Sequence, residues 1–244
     1  MSCFDGPNTV LTNAVLYLDA ANSKSYPGSG TTWTDISNTI TTGTIGTLVS
    51  GPTFSSANSG SIEFTKGTAQ RTTFPANSKF LFLGTSPYTI DVWVKINVYP
   101  DYLTYRMILY REANIGAGRD GYLFWIDGAA NGTDVFFASE RFVAGTQTLV
   151  GTTVAFSTIQ NLWNNFVITY DSTALRMYRN GILINGPTSD TRSIANNTTT
   201  LLIGGAGGTN AIGGNIATAR LYNIALSSDQ IQQNFNALRG RYGI

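Results

Sequence analysis

Hydrophobic positions in this chain recur mainly with a period of two. The plainest case is Tyr88 to Val98, where Tyr88, Ile90, Val92, Val94, Ile96 and Val98 share one face and Thr89, Asp91, Trp93, Lys95 and Asn97 share the other. Alternate side chains of a strand point to opposite sides, so this run predicts a long central strand with one buried face. The stretch Trp163 to Asn185 carries three apolar runs, Phe166 to Tyr170, Leu175 to Tyr178 and Ile182 to Ile184. They are separated by Asp171-Ser172-Thr173 and by Arg179-Asn180-Gly181. An Asn-Gly step between β-formers accepts the positive φ of a type I′ turn, so an antiparallel meander is expected. A three-stranded ribbon cannot bury its apolar face alone, which requires a second sheet.

Further short strands are predicted at Val15 to Asp19, Ile45 to Val49, Ser61 to Phe64, Arg106 to Arg111, Tyr122 to Ile126, Asp134 to Ala138 and Leu149 to Phe156. Thr200 to Ile203 and Ile216 to Tyr222 complete the set, with Gly116, Gly118 and Gly121 read as a loop between two of the strands. Trp33 is expected as a core anchor, with Asp35 shaping the adjacent turn. The one convincing helix follows Leu226-Ser227-Ser228-Asp229-Gln230-Ile231, where Ser227 and Gln230 have capping-box spacing and Leu226 and Ile231 that of a hydrophobic staple. Ile231, Phe235 and Leu238 then form a stripe that packs onto the sandwich, and Gly240 is expected to close the helix. The fold class is therefore all-β, a two-sheet antiparallel β-sandwich with a short C-terminal helix. Residues 1–13 read as an N-terminal arm and 14–244 as one domain.

Composition narrows the function classes. Charged residues make up 12% of 244 residues and the net charge is +1, which gives no electrostatic reason for a nucleic acid or an acidic membrane as partner. No run approaches the roughly 18 apolar residues of a membrane span. Cys3 is the one cysteine, so a disulfide framework is excluded. The first residues lack an apolar signal segment, so synthesis in a cytoplasm without signal-directed export is expected. With no histidine, Ser-His-Asp and Cys-His triads and His-based zinc sites are absent. The run Gly204 to Gly208 lacks a following Lys-Ser/Thr and a helix, which argues against phosphate cradling.

Several stretches together resemble the laminin-G-like branch of the concanavalin A-like lectin/glucanase jelly roll. They are LYLDAANSKSYPGSGTTWTDIS, YTIDVWVKI, WNNFVITYDSTALRMYRNGILI, LLIGG and GNIATARLYNIALSSDQIQQNFNALRGRYGI, in that order from Val15 onward. Trp163 and the run Ile216 to Ser227 correspond to fold signatures of that family and mark no active site. The opening LYLDA and closing QQNFNALRGRYG also resemble virion proteins of tailed bacteriophages, which implies a place on a capsid, fibre or adhesion module. Glucanases of the superfamily carry Glu-x-Asp-x-x-Glu on one strand. Here Glu63, Glu112 and Glu140 are isolated in sequence and the central strand offers Asp91 alone, so no enzyme is expected.

Candidate ligand positions are two. Asp127, Asn131 and Asp134 cluster in one Gly-rich loop, oxygen ligands of the kind calcium takes, and lectin-like relatives bind calcium in such loops. Asp-Gly and Asn-Gly are also default turn residues, and the hairpin-turn reading is preferred. Trp93, Trp125 and Tyr178 lie on the less regular faces of their strands and could stack on sugars, although core positions are the preferred reading. The function expected is a non-enzymatic virion component contacting other virion proteins, on its own or as a homo-oligomer, with cell-surface glycan as a further partner. The alternative is a carbohydrate-binding, lectin-like adhesin; a glycoside hydrolase comes third.

Overall fold

A computed structural model describes residues 7–37, 44–115 and 118–244. Cys3 and Gly116 lie outside the described residues. In chain order the strands begin with β1 (Ala14–Asp19), β2 (Thr32–Thr34), β3 (Ile45–Val49), β4 (Thr53–Ser55), β5 (Ser61–Phe64) and β6 (Arg71–Phe74). They continue with β7 (Tyr88–Ile96), β8 (Arg106–Ile115), β9 (Gly118–Gly128), β10 (Asp134–Val143) and β11 (Thr146–Ala155). The rest are β12 (Trp163–Tyr170), β13 (Ala174–Arg179), β14 (Ile182–Ser189), β15 (Leu201–Ile203), β16 (Gly214–Tyr222) and the helix α1 (Ser228–Arg239).

Two antiparallel sheets face each other. The first runs β14-β13-β12-β7-β16-β5-β4, with β1 also on β16; the second runs β11-β10-β9-β8-β15-β6-β3-β2. Between them lies one apolar core to which both inner faces contribute, Ile90, Val92, Phe166, Ile168 and Leu221 from the first sheet and Phe124, Ile126, Phe137 and Leu201 from the second. Trp33 is fully buried in it, and Asp35 accepts the backbone N–H groups of Tyr17 and Ser37, as the sequence predicts. The Asn180-Gly181 turn has φ of 51° and 81°, the left-handed pair a type I′ turn needs. The sandwich and its jelly-roll architecture are as expected.

Two expectations are corrected and a third is refined. β7 and β12 are buried on both faces, not one, because α1 lies across the outer side of the first sheet. There Trp93, Trp163 and Ala217 pack with Phe235 and Tyr242, while Val167, Tyr178 and Tyr222 pack with Leu226 and Ile231. β9 runs through two of the glycines read as a loop: Gly118 opens it and Gly121 pairs with Glu112 inside the ladder. Gly121 sits at φ 145°, and an added Cβ would lie 2.2 Å from the Arg111 carbonyl oxygen, so glycine there serves close strand pairing. Gly240 caps α1 as expected but does not end the helical run; it keeps right-handed geometry and opens a 3₁₀ turn, Gly240–Tyr242, which ends at Gly243 with φ 73°. That turn is what carries Tyr242 onto Trp93.

The capping box of α1 forms as the spacing predicts, with Ser227 Oγ accepting from Gln230 N and Gln230 Oε1 from Ser227 N. Of the segment read as an arm, the described part is tied to this helix. Val10 N donates to Asn234 Oδ1 at 2.7 Å, and Gln233 Nε2 donates to the Asn8 carbonyl. No helix among the described residues is long and apolar enough to cross a membrane.

Candidate functional site

The second sheet turns one face to the core and leaves the other without a covering helix. Its strand registers place side chains on that outer face in rows: Tyr110, Leu123, Glu140 and Leu149 across β8, β9, β10 and β11; Met107, Trp125, Ala138 and Gly151 in a second row; Glu112, Gly121, Phe142 and Gln147 in a third. A bulge between Met107 and Leu109 shifts β8 by one residue there, which puts Met107 on the same side as Tyr110. Met107, Leu123, Trp125, Ala138 and Phe142 form an apolar cluster of their own, separate from the main core, with half-buried Tyr110, Phe136 and Leu149 around it. Gly151 leaves space for Phe136, whose ring would lie 2.5 Å from an added Cβ.

Aromatic rings line one end of this face. Trp125 is 4% exposed, flanked by Phe136 at 5.6 Å and covered by Tyr105, whose centroid lies 4.5 Å away at a 44° tilt. Tyr105 itself is 49% exposed and continues into Tyr102 and Leu103, both more exposed still. Leu103 holds φ at 56°, an unusual backbone for a branched aliphatic residue, and thereby presents its side chain outward.

Polar groups occupy the other end. Glu112 takes both the Nε and Nη2 hydrogen bonds of Arg119, at 2.5 Å each, and the Arg119 guanidinium lies 3.8 Å over the Phe142 ring. Glu140 projects from the neighbouring row. Burial pushes its carboxyl above the usual glutamate range, against the pull of Trp125, Arg119 and Gln147. Two of the three glutamates that stand isolated in sequence, Glu112 and Glu140, therefore share one sheet face, with Arg119 acting on both. Such a face offers a ring to stack on, a buried acceptor and a planar donor. It offers little for hydrolysis: that chemistry takes two carboxyl groups flanking one bond, and both oxygens of Glu112 are already engaged by Arg119.

The structure redistributes the residues nominated from sequence. Trp93 is fully buried and stacked on Tyr242 at 4.2 Å and Phe235 at 5.8 Å, so it presents no platform. Tyr178 is likewise covered, in the cluster under α1. Trp125 reaches the outer face only as the backing of Tyr105. Asp127, Asn131 and Asp134 do not form one ligand set. Asp127 Oδ1 accepts from Thr104 N, whereas Asn131 Oδ1 accepts from Thr133 N and Asp134 N and its amide donates to Asp134 Oδ2. This is the hydrogen bonding of a hairpin turn joining β9 to β10. Among the described residues no group of three or more His, Cys, Asp or Glu is placed to hold a metal ion. Tyr105, Tyr110, Arg119 and Phe142 were missed by sequence reading. The signal was there in Phe136, Ala138, Glu140 and Phe142, whose alternation extends β10 beyond the predicted end at Ala138.

Two facing antiparallel sheets, one of them covered by a helix, define a jelly-roll sandwich. A model of the concanavalin A-like lectin/glucanases superfamily matches residues 65–232, and the chain belongs to that superfamily. The comparison with curated proteins finds no match. Among solved structures, the binding domain of Paraclostridial Mosquitocidal Protein 1 superposes with a TM-score of 0.72 at 16% identity, covering 93% of this chain and 52% of that one. The binding domain of botulinum neurotoxin DC in complex with rat synaptotagmin II gives 0.70 at 15% identity, covering 94% and 52%. The same toxin domain in complex with SialylT gives 0.68 at 14%, covering 94% and 52%. At these identities the likeness is one of fold, and the chain spans about half the length of each of these structures.

Proposed function

We propose that the chain is a non-catalytic recognition module that lays a carbohydrate chain across the outer face of its second sheet. One relationship carries this reading: Tyr105, half exposed, rests on buried Trp125 and offers solvent a ring held in place from behind. A rigid aromatic platform stacks on the C–H face of a sugar at little entropic cost, since few torsions are left to freeze. Tyr110, Glu140, Gln147 and Arg119 supply hydroxyl, carboxyl, amide and guanidinium partners further along the same face. The solved relatives support the reading in a general way, because they are binding domains, one of them in complex with SialylT. A glycan array with the purified chain, followed by titration calorimetry on the best binder, tests it. Tyr105→Ala should abolish the binding while leaving the melting transition in place. An array without binders, or an unaffected variant, overturns the reading.

The setting proposed for this module is the surface of a phage particle. The support is the resemblance of the LYLDA and QQNFNALRGRYG runs to tailed-phage virion proteins. Virion proteins of the capsid or tail would then be its neighbours on one side and host glycan its target on the other. Proteomics and imaging of purified particles test this; absence of the chain from particles overturns it.

A further inference from the structure

A cavity lies at one end of the sandwich, where the Phe156–Thr158 turn, the start of β12, the end of β13 and the residues after α1 meet. Its volume is about 320 Å³, and Leu162, Trp163, Asn164, Arg179 and Tyr242 are among the residues lining it. None of its lining side chains is acidic. Arg179 Nε donates to Asn164 Oδ1 at 2.8 Å and Nη2 reaches the Thr158 carbonyl at 3.5 Å. No acidic group pairs with its guanidinium among the described residues, and burial lowers its proton affinity with nothing to offset it. Three other buried arginines sit against a carboxylate, Arg141 on Asp190, Arg220 on Asp91 and Arg241 on Asp19, whereas Arg111, 1% exposed inside the sandwich, has no ion pair among the described residues and, unlike Arg179, lines no such cavity. Beside Arg179 the Trp163 and Tyr242 rings stand 4.8 Å apart, tilted by 43°, and Leu162 is 54% exposed at the mouth.

We infer that this cavity is a separate subsite for a carboxylate-bearing sugar, such as a sialic or uronic acid residue. A partly desolvated guanidinium with open donors is matched by a carboxylate, which it grips through two parallel hydrogen bonds. The tryptophan and tyrosine edges and Leu162 suit the apolar face of the attached ring, and Asn164 and Asn180 line the cavity with amides. The subsite shares no residue with the outer face of the second sheet, and it holds whether or not that face binds neutral glycan.

Titration of the full chain with sialyllactose, with lactose as the neutral control, tests the assignment. Sialyllactose should bind the wild type at least about tenfold more tightly than lactose does, and the difference should shrink with added salt. Arg179→Gln should remove the preference, with Arg179→Lys restoring part of it. Because Arg179 also braces Asn164, a second variant leaves it in place: Leu162→Glu, at the exposed rim, should repel the anion without disturbing the fold. Tyr105→Ala should leave the preference intact, which separates this subsite from the outer-face site. Equal binding of the two sugars, or a preference that survives both Arg179→Gln and Leu162→Glu, overturns the inference.

Discussion

Asp91 and Arg220 form an ion pair at 2.9 Å with neither side chain exposed, on the central strands β7 and β16 and beneath α1. Asn165 and Asn234 each donate an amide to the same carboxylate, from β12 and from the helix. Burial alone would lower the proton affinity of Arg220; the facing Asp91 reverses this and holds it above the ordinary arginine value. The acid that stands alone on the central strand is thus the anchor that ties helix to sheet.

Breaking that pair from one side leaves an uncompensated charge under the helix. Arg220→Met should cost roughly 3–5 kcal/mol in urea unfolding, and Asp91→Asn less, because the neutral amide keeps an acceptor for one asparagine. Unfolding curves in which Arg220→Met matches wild type would show the pair to be dispensable.

Asp190 makes the fold sensitive to acid. It sits between Arg141, at 2.9 Å and fully buried, and Arg192. Burial would raise its pKa, but the hydrogen bonds and charge of Arg192 and Arg141 overrule this and hold it down at about 2. A group whose folded pKa is depressed contributes stability that is complete above its unfolded pKa and is lost as pH falls through the folded value. The wild type should therefore lose stability steeply from about pH 4 toward pH 2. Asp190→Asn should be weaker at neutral pH and flatter across that window, as read by melting temperature against pH.

Trp93 illustrates how far the sequence was legible. The alternation of β7 correctly put Trp93 on the face opposite Ile90 and Val92, but the periodicity of one strand says nothing about what lies beyond it. The stripe of Ile231 and Phe235 was equally legible. Trp93 stacks on Phe235 directly and the 3₁₀ turn then brings Tyr242 over the same ring, a tertiary packing that no local pattern encodes. The same limit applies to Glu112, Arg119 and Glu140, which converge through the β8–β9–β10 registers and not through spacing in sequence. What sequence does state reliably is local: the Asn180-Gly181 turn, the capping box and the Asp127 to Asp134 hairpin. Trp93→Ala should cost about 3–5 kcal/mol, since Tyr242 and Phe235 lose the ring they stack on. Glycan binding at the outer face of the second sheet should be unchanged in the folded fraction, because Trp93 lies on the other sheet.

Glu140 offers the sharpest contrast between stability and use. Burial raises its carboxyl pKa in the folded chain. In the window between the ordinary and the raised value, the folded chain keeps a proton the unfolded chain has released, so stability falls as pH rises through that window. Glutamine at this position keeps the shape and removes the ionisation. Glu140→Gln should therefore melt higher than wild type near neutral pH, and the two should converge below about pH 4, where the unfolded carboxyl is protonated too. A buried carboxylate that costs stability beside exposed Tyr105 and Gln147 on a sheet face is the pattern of a group kept for a ligand. If Glu140 accepts hydroxyl hydrogen bonds from a bound glycan, the same substitution should weaken binding several-fold while it raises the melting temperature. Thermal scans against pH and calorimetry on one preparation give both readings. A variant that is more stable and binds as well as wild type would remove Glu140 from the recognition surface and leave Tyr105 as its support.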